Sequence, residues 1–186
     1  MTILIGITGA ARAGKDTLAS IFVQQGLRQM AFAEPIKAIA SLVSGEPLSN
    51  FYADDLKEQH SEALGMTRRR AMQLIGTDMF REAFGPNVWA RCSMAEWERR
   101  GKPATVLSDV RYDNEAQAIR SAGGIVVRIV RPDNVGLTGE AALHSSERGV
   151  SDDLVDIEIV NDGTIGELKH EALKVLTLLG VDRDRA

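Results

Sequence analysis

A glycine-rich segment near the N-terminus restricts the fold of this chain more than any other feature. The segment Gly9–Lys15 has the sequence GAARAGK and fits the pattern G-x-x-x-x-G-K. The β-branched run Ile3–Thr8 precedes it, and apolar residues near helical spacing follow it, from Leu18 to Leu27. A buried strand, a glycine turn and a helix in this order predict the opening of an α/β fold whose turn binds an anion.

The residue types of this turn favour phosphate as the anion. Small residues let the backbone approach an anion closely, while successive N–H groups and a helix N-terminus supply partial positive charge. Lys15 is expected to contact the β- and γ-phosphates of ATP. Arg12 lies mid-loop and is either a solvated side chain or a ligand of the transferring phosphoryl group or the acceptor phosphate. The residues assigned to ATP here are Gly9, Ala11, Ala13, Gly14, Lys15, Asp16 and Thr17.

Asp16 occupies the position where this motif usually has a serine or threonine. A carboxylate beside a polyphosphate is repulsive unless a cation lies between them. Asp16 therefore predicts Mg²⁺ at this point, held directly or through water. Thr17 is then free to hydrogen-bond a phosphate.

A second polar cluster follows the apolar run Ala104–Leu107, which predicts another buried strand. Ligands of open α/β sheets bind at the carboxyl ends of the strands. Asp109 is therefore either a capping or turn residue or a catalytic carboxylate that organises the metal or orients the acceptor. Arg111 is placed to bind a phosphate, and Glu115 is a weaker candidate for the same site.

The helix predicted over Arg68–Phe84, broken near Gly76, begins with three arginines. They form either a solvated face or a clamp for an acceptor phosphate, to which Arg69 and Arg70 are assigned. Trp89 either stacks on a base or belongs to the core.

Strand and helix signals alternate along the whole chain. They predict a three-layer α/β fold with a mainly parallel five-stranded sheet and helices on both faces. We expect one domain over residues 1–186, with a helical acceptor-side insertion over residues 45–100. Asp113 is expected to cap the helix Asn114–Ser121.

Residues 132–153 form a long polar stretch with little periodicity, which indicates a lid-like loop. A kinase has to exclude water from its site, and a loop flanked or occupied by arginines suits that task. Arg131, at the start of the loop, is assigned to ATP. His144 lies within the loop and more often makes only local hydrogen bonds.

Composition excludes several functional classes. The net charge of −4 gives no general attraction to nucleic acid or to anionic membranes. No signal peptide or membrane-spanning run is recognisable, and the single cysteine, Cys92, excludes an internal disulfide. These features predict a cytoplasmic protein, in which Cys92 is a small buried side chain.

Five segments, in order along most of the chain, resemble the deoxynucleoside monophosphate kinases of tailed bacteriophages. These segments are the phosphate loop with its unusual aspartate, Met72–Asp78 followed by Trp89, Asp109–Glu115 followed by Val130–Pro132, His144–Glu147 and Val160–Gly163. Each segment is a weak signal alone, whereas five in the right order are specific. Ala11 departs from the pattern, because some relatives have a lysine there.

The resemblance implies a P-loop kinase fold, ATP as donor, Mg²⁺, a deoxynucleoside monophosphate (dNMP) acceptor and a homodimer, in the cytoplasm of the host cell if a phage encodes the chain. By matching positions it implies acceptor contacts at Arg12, one or two of Arg68–Arg70, Gly76, Thr77, Trp89, Arg111 and Glu115. Two alternatives stay open. Dephospho-coenzyme A kinase shares the architecture but phosphorylates a ribose hydroxyl, and a nucleotide-binding switch would need switch loops or a partner surface.

Overall fold

The structure is a computed structural model that describes residues 3–132 and 149–181. Its strands are β1 (Leu4–Thr8), β2 (Arg28–Met30), β3 (His60–Ser61), β4 (Met66–Thr67), β5 (Thr105–Leu107), β6 (Ile125–Val130) and β7 (Ile157–Val160). Its α-helices are α1 (Lys15–Gln24), α2 (Glu34–Ser44), α3 (Asp54–Lys57), α4 (Arg68–Gln73), α5 (Phe80–Phe84), α6 (Val88–Arg99), α7 (Asp113–Ser121) and α8 (Ile165–Leu178).

Five strands form one sheet in the order β2-β5-β1-β6-β7. All four pairings in this sheet are parallel, which confirms the predicted five-stranded architecture. Because the strands are parallel, the segments that follow them all leave from the same edge of the sheet. The residues after β1, β5, β6 and β7 are therefore neighbours, although they lie far apart along the chain.

The two faces of the sheet are covered by different helices. Ile5 and Ile7 of β1 belong to a buried cluster with residues of α1 and α8, including Phe22 and Leu176. The opposite face packs on α7 so closely that a Cβ atom at Gly6 would lie 2.5 Å from Ile119 Cδ1. Helices on both faces are confirmed.

The described residues divide into two compact units. Residues 3–31, 94–132 and 149–181 form the sheet unit, and Phe32–Ser93 form the helical unit. A helical region is thus present where the sequence predicts one. Its role as an acceptor-side insertion, the bounds 45–100 and the single domain over residues 1–186 stay predictions.

The helical unit has its own core, which includes Ala40, Phe51 and Trp89. The predicted break near Gly76 is wrong, because a π-helical turn over Leu74–Met79 joins α4 to α5. Such turns keep the helix continuous while they widen it locally.

Two other predictions are also wrong. Asp113 is the first residue of α7 rather than its cap, and its carboxylate accepts hydrogen bonds from the backbone N–H and hydroxyl of Ser151, at 2.8 and 2.7 Å. Cys92 is exposed, because α6 turns its neighbour Ser93 to the interior instead. In the part of the chain that the structure describes, no helix has both the length and the apolar run needed to cross a membrane.

Candidate active site

The loop between β1 and α1 has the backbone of an anion-binding turn. Its φ angles are positive at Gly9 (148°), Arg12 (63°) and Gly14 (106°). Gly9 also lies against the next strand, so that a Cβ atom there would be 2.4 Å from the carbonyl oxygen of Ile129. Glycine is thus required at Gly9 for a close approach and at Gly14 for its left-handed conformation.

The Lys15 side chain folds back over this loop. Its Nζ donates hydrogen bonds to the carbonyl oxygens of Gly9 and Ala10, both at 2.8 Å. These bonds hold the ammonium group above the turn. They also provide two carbonyl groups of the loop with a hydrogen-bond donor. The positive charge of Lys15 is therefore held next to the loop.

A cavity of about 240 Å³ opens beside the loop. It is lined by Arg12, Gly14, Lys15, Asp16, Thr17 and Arg131. Three of these side chains are cations and one is an acid, so the lining attracts a polyanion. Arg131 follows β6 directly, and the parallel sheet brings it to a loop that lies more than one hundred residues earlier in the sequence.

The segment after β5 lies beside the start of the phosphate loop. The N–H of Val110 donates to the carbonyl oxygen of Ile7, at 3.0 Å, and so ties the segment to β1. Asp109 is half-buried, and Arg111 is exposed. The sheet thus brings Asp109 and Arg111 to the predicted edge, although neither lines the cavity above.

Glu115 is 3% exposed, on the first turn of α7. Its carboxylate accepts hydrogen bonds from the backbone N–H groups of Arg111, at 2.9 Å, and Tyr112, at 3.2 Å. Glu115 therefore holds the backbone that carries Arg111. The acceptor contact assigned to Glu115 from the sequence stays a prediction.

Replacing Glu115 by alanine should lower the free energy of unfolding by about 2 to 4 kcal/mol, because two N–H groups lose a buried, charged partner. Urea denaturation of the wild type and of Glu115→Ala measures the difference. Glu98→Ala is the matched control. Its exposed carboxylate lies on α6 and pairs with Lys102, beyond the end of that helix, at 2.9 Å, so that its removal should cost less than about 0.5 kcal/mol. Equal effects of the two substitutions would contradict the supporting role.

The three arginines of the helical unit have different surroundings. Arg68 is 9% exposed, and it donates to Glu46, at 2.5 Å, and to the carbonyl oxygen of Leu56, at 2.9 Å. Hydrogen bonds from Ser61 and from Arg68 hold the pKa of Glu46 below its usual range. Arg68 is thus a structural residue of this unit.

Arg69 and Arg70 have exposed side chains in the helical unit. Arg69 pairs with Glu58, and Arg70 lies 3.9 Å from Asp78, the outer limit of an ion pair. Their contact with an acceptor stays a prediction.

Trp89 is 2% exposed and belongs to the core of the helical unit. Its Nε1 donates to the carbonyl oxygen of Gly76, at 2.7 Å, and its ring lies 5.0 Å from the ring of Phe80. The tryptophan is thus enclosed in the core of this unit. Thr77, next to Gly76, is half-buried. The predicted acceptor contacts of Gly76, Thr77 and Trp89 stay predictions.

Most of the predicted lid-like loop, including His144, falls at positions 133–148, outside the described residues. The segment after it is tied to the sheet. The Arg128 guanidinium donates to the carbonyl oxygen of Val150 and pairs with Asp152, and Arg120 donates to the carbonyl oxygen of Asp153, at 2.8 Å. The loop's role as a lid stays a prediction.

Sequence reasoning missed Asn161, which follows β7. Its side-chain amide donates to the carbonyl oxygen of Ala13 inside the phosphate loop, at 2.9 Å. A signal for this contact was present, because β7 ends at the same sheet edge as β1. The sequence predicts only a turn over Asn161–Gly163 and a family resemblance there, and neither predicts a contact with the phosphate loop.

Comparison with known proteins identifies the relatives of the chain. A family model described as deoxynucleotide monophosphate kinase matches residues 55–172. A protein of Acanthamoeba polyphaga mimivirus, provisionally named as such a kinase, is 29% identical over 92% of this chain and 94% of its own length. The deoxynucleoside-5′-monophosphate kinase of Escherichia phage T5 is 21% identical, again over 92% of this chain and 94% of its own length. The deoxynucleotide monophosphate kinase of Enterobacteria phage T4 is 29% identical over 60% of this chain but only 46% of its own length.

Solved structures share the architecture. The dephospho-CoA kinase of Campylobacter jejuni aligns with a TM-score of 0.51 at 16% identity, over 95% of this chain and 96% of its own. A protein of Thermus thermophilus aligns with a TM-score of 0.55 at 22% identity, over 97% of this chain and 98% of its own. At such identities the likeness shows the fold alone.

Proposed function

This chain belongs to the deoxynucleotide monophosphate kinase family, and on that premise we propose that it transfers the γ-phosphoryl group of ATP to a deoxynucleoside 5′-monophosphate. The products are a deoxynucleoside diphosphate and ADP. The match of the family model over residues 55–172 carries the proposal.

The donor side of the proposal has independent support. The phosphate loop, Gly9–Lys15, lies outside the range that the family model matches, and its geometry alone favours a polyphosphate. The family match therefore supports a dNMP as the acceptor, and the phosphate loop independently supports ATP as the donor. The alternative acceptor, dephospho-coenzyme A, is supported only by a shared fold. The dephospho-CoA kinase structure is 16% identical to this chain, which is too distant to indicate a substrate.

The proposed reaction needs little proton transfer. An oxygen of the acceptor phosphate, already anionic at neutral pH, forms a bond to the γ-phosphorus, and the bond from that phosphorus to the oxygen shared with the β-phosphate breaks. The electron pair of the broken bond stays on ADP. Catalysis is then positioning and neutralisation of charge, in which Lys15 and Arg12 are the catalytic cations on the lining of the cavity.

The oxygen ligands that the cavity offers are suited to Mg²⁺. Asp16 is exposed on the first turn of α1 and lines the cavity beside Lys15, so that it offers the oxygen ligands that Mg²⁺ prefers. Within residues 3–132 and 149–181 no three acidic, histidine or cysteine side chains gather into a metal cage. Few protein ligands suit Mg²⁺, which keeps waters and takes further oxygens from phosphates. Asp16, with Asp109 as the second candidate, would hold the ion, which supplies positive charge against the phosphates when bound.

Arg111 is the proposed acceptor-phosphate ligand of the sheet unit. It is exposed at the carboxyl edge of the sheet, and the buried carboxylate of Glu115 holds its backbone. A guanidinium with a fixed backbone is suited to bidentate recognition of a phosphate. The acceptor contacts assigned within the helical unit stay proposals too, and they are Arg69, Arg70, Gly76, Thr77 and Trp89.

An assay coupled to ADP formation tests the proposed function. The wild-type protein is supplied with ATP, Mg²⁺ and one acceptor at a time from a panel of dNMPs, NMPs and dephospho-coenzyme A. We expect turnover with at least one dNMP. Turnover with dephospho-coenzyme A alone, or ADP release that no acceptor stimulates, would contradict the proposal.

Replacing Arg111 by lysine should raise KM for the dNMP about tenfold and leave the Kd for ATP within about twofold. Lysine keeps the charge but loses the planar fork that grips two phosphate oxygens. Steady-state kinetics against dNMP concentration, and direct titration of the same variant with ATP, measure the two effects.

The control for this variant is Arg99→Lys, an exposed arginine that pairs with Glu96 on α6. It should change neither constant. A variant Arg111→Lys that loses ATP affinity but responds normally to the dNMP would move Arg111 to the donor site. No change in either constant would show that it is structural.

We also propose a homodimer in the cytoplasm, where ATP and nucleotide precursors are present. The resemblance to phage kinases supports the dimer, and the exposed thiol of Cys92 is compatible with a reducing compartment. Light scattering coupled to size exclusion measures the mass against the 20.2 kDa of one chain.

A further inference from the structure

The phosphate loop has a contact from outside its own segment that matters for anion binding. Ala13 is 1% exposed, so its carbonyl oxygen has little access to water. The amide Nδ2 of Asn161 donates to this oxygen at 2.9 Å, across 148 positions of sequence. A buried carbonyl without a partner is unfavourable, and this hydrogen bond supplies the partner.

The position of Asn161 is itself fixed by the sheet. Its backbone N–H donates to the carbonyl oxygen of Val130, at 2.7 Å, and so extends the pairing of β6 and β7 by one residue. The side chain lies so near the loop that a Cβ atom at Gly14 would be 2.6 Å from its Nδ2. The pairing with β6 therefore places the Asn161 amide directly against the phosphate loop.

The hydrogen bond from Asn161 affects anion binding because it sets the orientation of the peptide group between Ala13 and Gly14. The carbonyl of Ala13 and the N–H of Gly14 belong to the same trans peptide group, so they point in opposite directions. Because Asn161 holds the carbonyl, the N–H of Gly14 points away from Asn161. Gly14 lines the cavity, whereas Asn161 is not part of its lining.

We infer that Asn161 is a positioning residue of the phosphate loop, which aims the Gly14 N–H at the phosphates of the nucleotide by holding the Ala13 carbonyl on the far side. This inference rests on the proposed function only in that the loop binds a polyphosphate. Without the amide, the peptide between Ala13 and Gly14 is free to rotate. Rotation places a carbonyl oxygen, with its partial negative charge, where the polyphosphate has to bind.

The test separates the phosphates from the nucleoside. Wild-type protein and Asn161→Ala are titrated calorimetrically, in Mg²⁺ buffer, with ATP and with tripolyphosphate, which has no base or sugar. We expect Asn161→Ala to raise the Kd of both ligands by the same factor of about ten. This is the effect of losing about one hydrogen bond and leaving its buried acceptor unpaired. KM for ATP should rise in parallel, and KM for the dNMP should stay within about twofold.

Two further variants keep the test decisive. Ile165→Ala, at the first residue of α8 and 72% exposed, is the uncharged control that should change no affinity. Asn161→Ser, whose shorter side chain does not reach Ala13, should behave like Asn161→Ala, and it replaces that variant if the alanine protein fails to fold. Thermal unfolding is measured alongside, because a merely structural role lowers Tm without a loss of tripolyphosphate affinity in the folded protein.

Three results would overturn the inference. They are unchanged affinity for both ligands, a loss of ATP affinity with normal tripolyphosphate binding, and a change confined to the dNMP. The titrations need no acceptor, so they are independent of the proposed reaction. A wild type that binds tripolyphosphate but phosphorylates no dNMP would contradict the proposed function and leave this inference standing.

Discussion

Replacing Lys15 by alanine should reduce phosphoryl transfer by a factor of about 10² or more in kcat. The Lys15 ammonium is held over the phosphate loop by the carbonyl oxygens of Gly9 and Ala10, so its charge is in place before the reaction begins. A preorganised cation stabilises the charge that develops on the transferring group without any cost of reorganisation. Alanine removes that cation together with the two hydrogen bonds that it donates to the loop carbonyls, whereas the strand and the helix on either side of the loop are expected to stay folded.

The measurement is single-turnover transfer from ATP to the preferred dNMP, with circular dichroism to confirm folding. Lys174→Ala is the matched control, because Lys174 is an exposed lysine of α8 that pairs with Glu171, at 2.7 Å. It should transfer at the wild-type rate. Transfer by Lys15→Ala within about threefold of that rate would be incompatible with a catalytic phosphate loop.

Replacing Asp16 by alanine should reduce turnover by about 10²-fold at a Mg²⁺ concentration that saturates the wild type. A metal ion supplies several kcal/mol of charge stabilisation in such reactions, and Asp16 is the acid on the lining of the cavity. Part of the lost activity should return as Mg²⁺ is raised, because phosphate and water ligands still bind the ion weakly. Wild-type activity should also vanish in excess EDTA.

Titration of ATP binding against Mg²⁺ provides a readout that does not depend on turnover. Asp16→Ala should lose most of the dependence of ATP affinity on Mg²⁺, and Asp55→Ala, an exposed acid of α3, should keep it. The assignment of Asp16 as a metal ligand would be wrong if the wild type kept full activity in EDTA. It would also be wrong if the ATP affinity of Asp16→Ala depended on Mg²⁺ as that of the wild type does.

The family could be predicted because its signals are short and ordered along the chain. Each signal is a run of consecutive residues, which a sequence displays directly. Examples are the phosphate loop, the segment around Asp109 and Arg111, and the segment at Asn161. The match of residues 55–172 to the family model agrees with that prediction. The sheet was predictable for the same reason, since runs such as Ile125–Val130 are apolar enough to be buried on both faces.

Burial and partners were harder to predict than the elements themselves. Arg68 and Arg69 are adjacent and chemically identical, yet the first is buried against Glu46 and the second is exposed. Glu115 was predicted to contact the acceptor, and no local pattern predicts that its carboxylate accepts hydrogen bonds from the backbone N–H groups of Arg111 and Tyr112. Which way each side chain points depends on the helix it occupies and on what packs there.

Local patterns were enough to predict the phosphate loop, the alternation of strands and helices, and the edge of the sheet at which ligand-binding residues gather. Strand, turn and helix propensities act over a few residues, and parallel pairing then places all the carboxyl ends together. By contrast, the contact of Asn161 with Ala13 and the burial of Trp89 in the helical unit are visible only in the folded chain. These contacts join residues far apart in the chain, so they depend on strand register and side-chain direction, which no local pattern encodes.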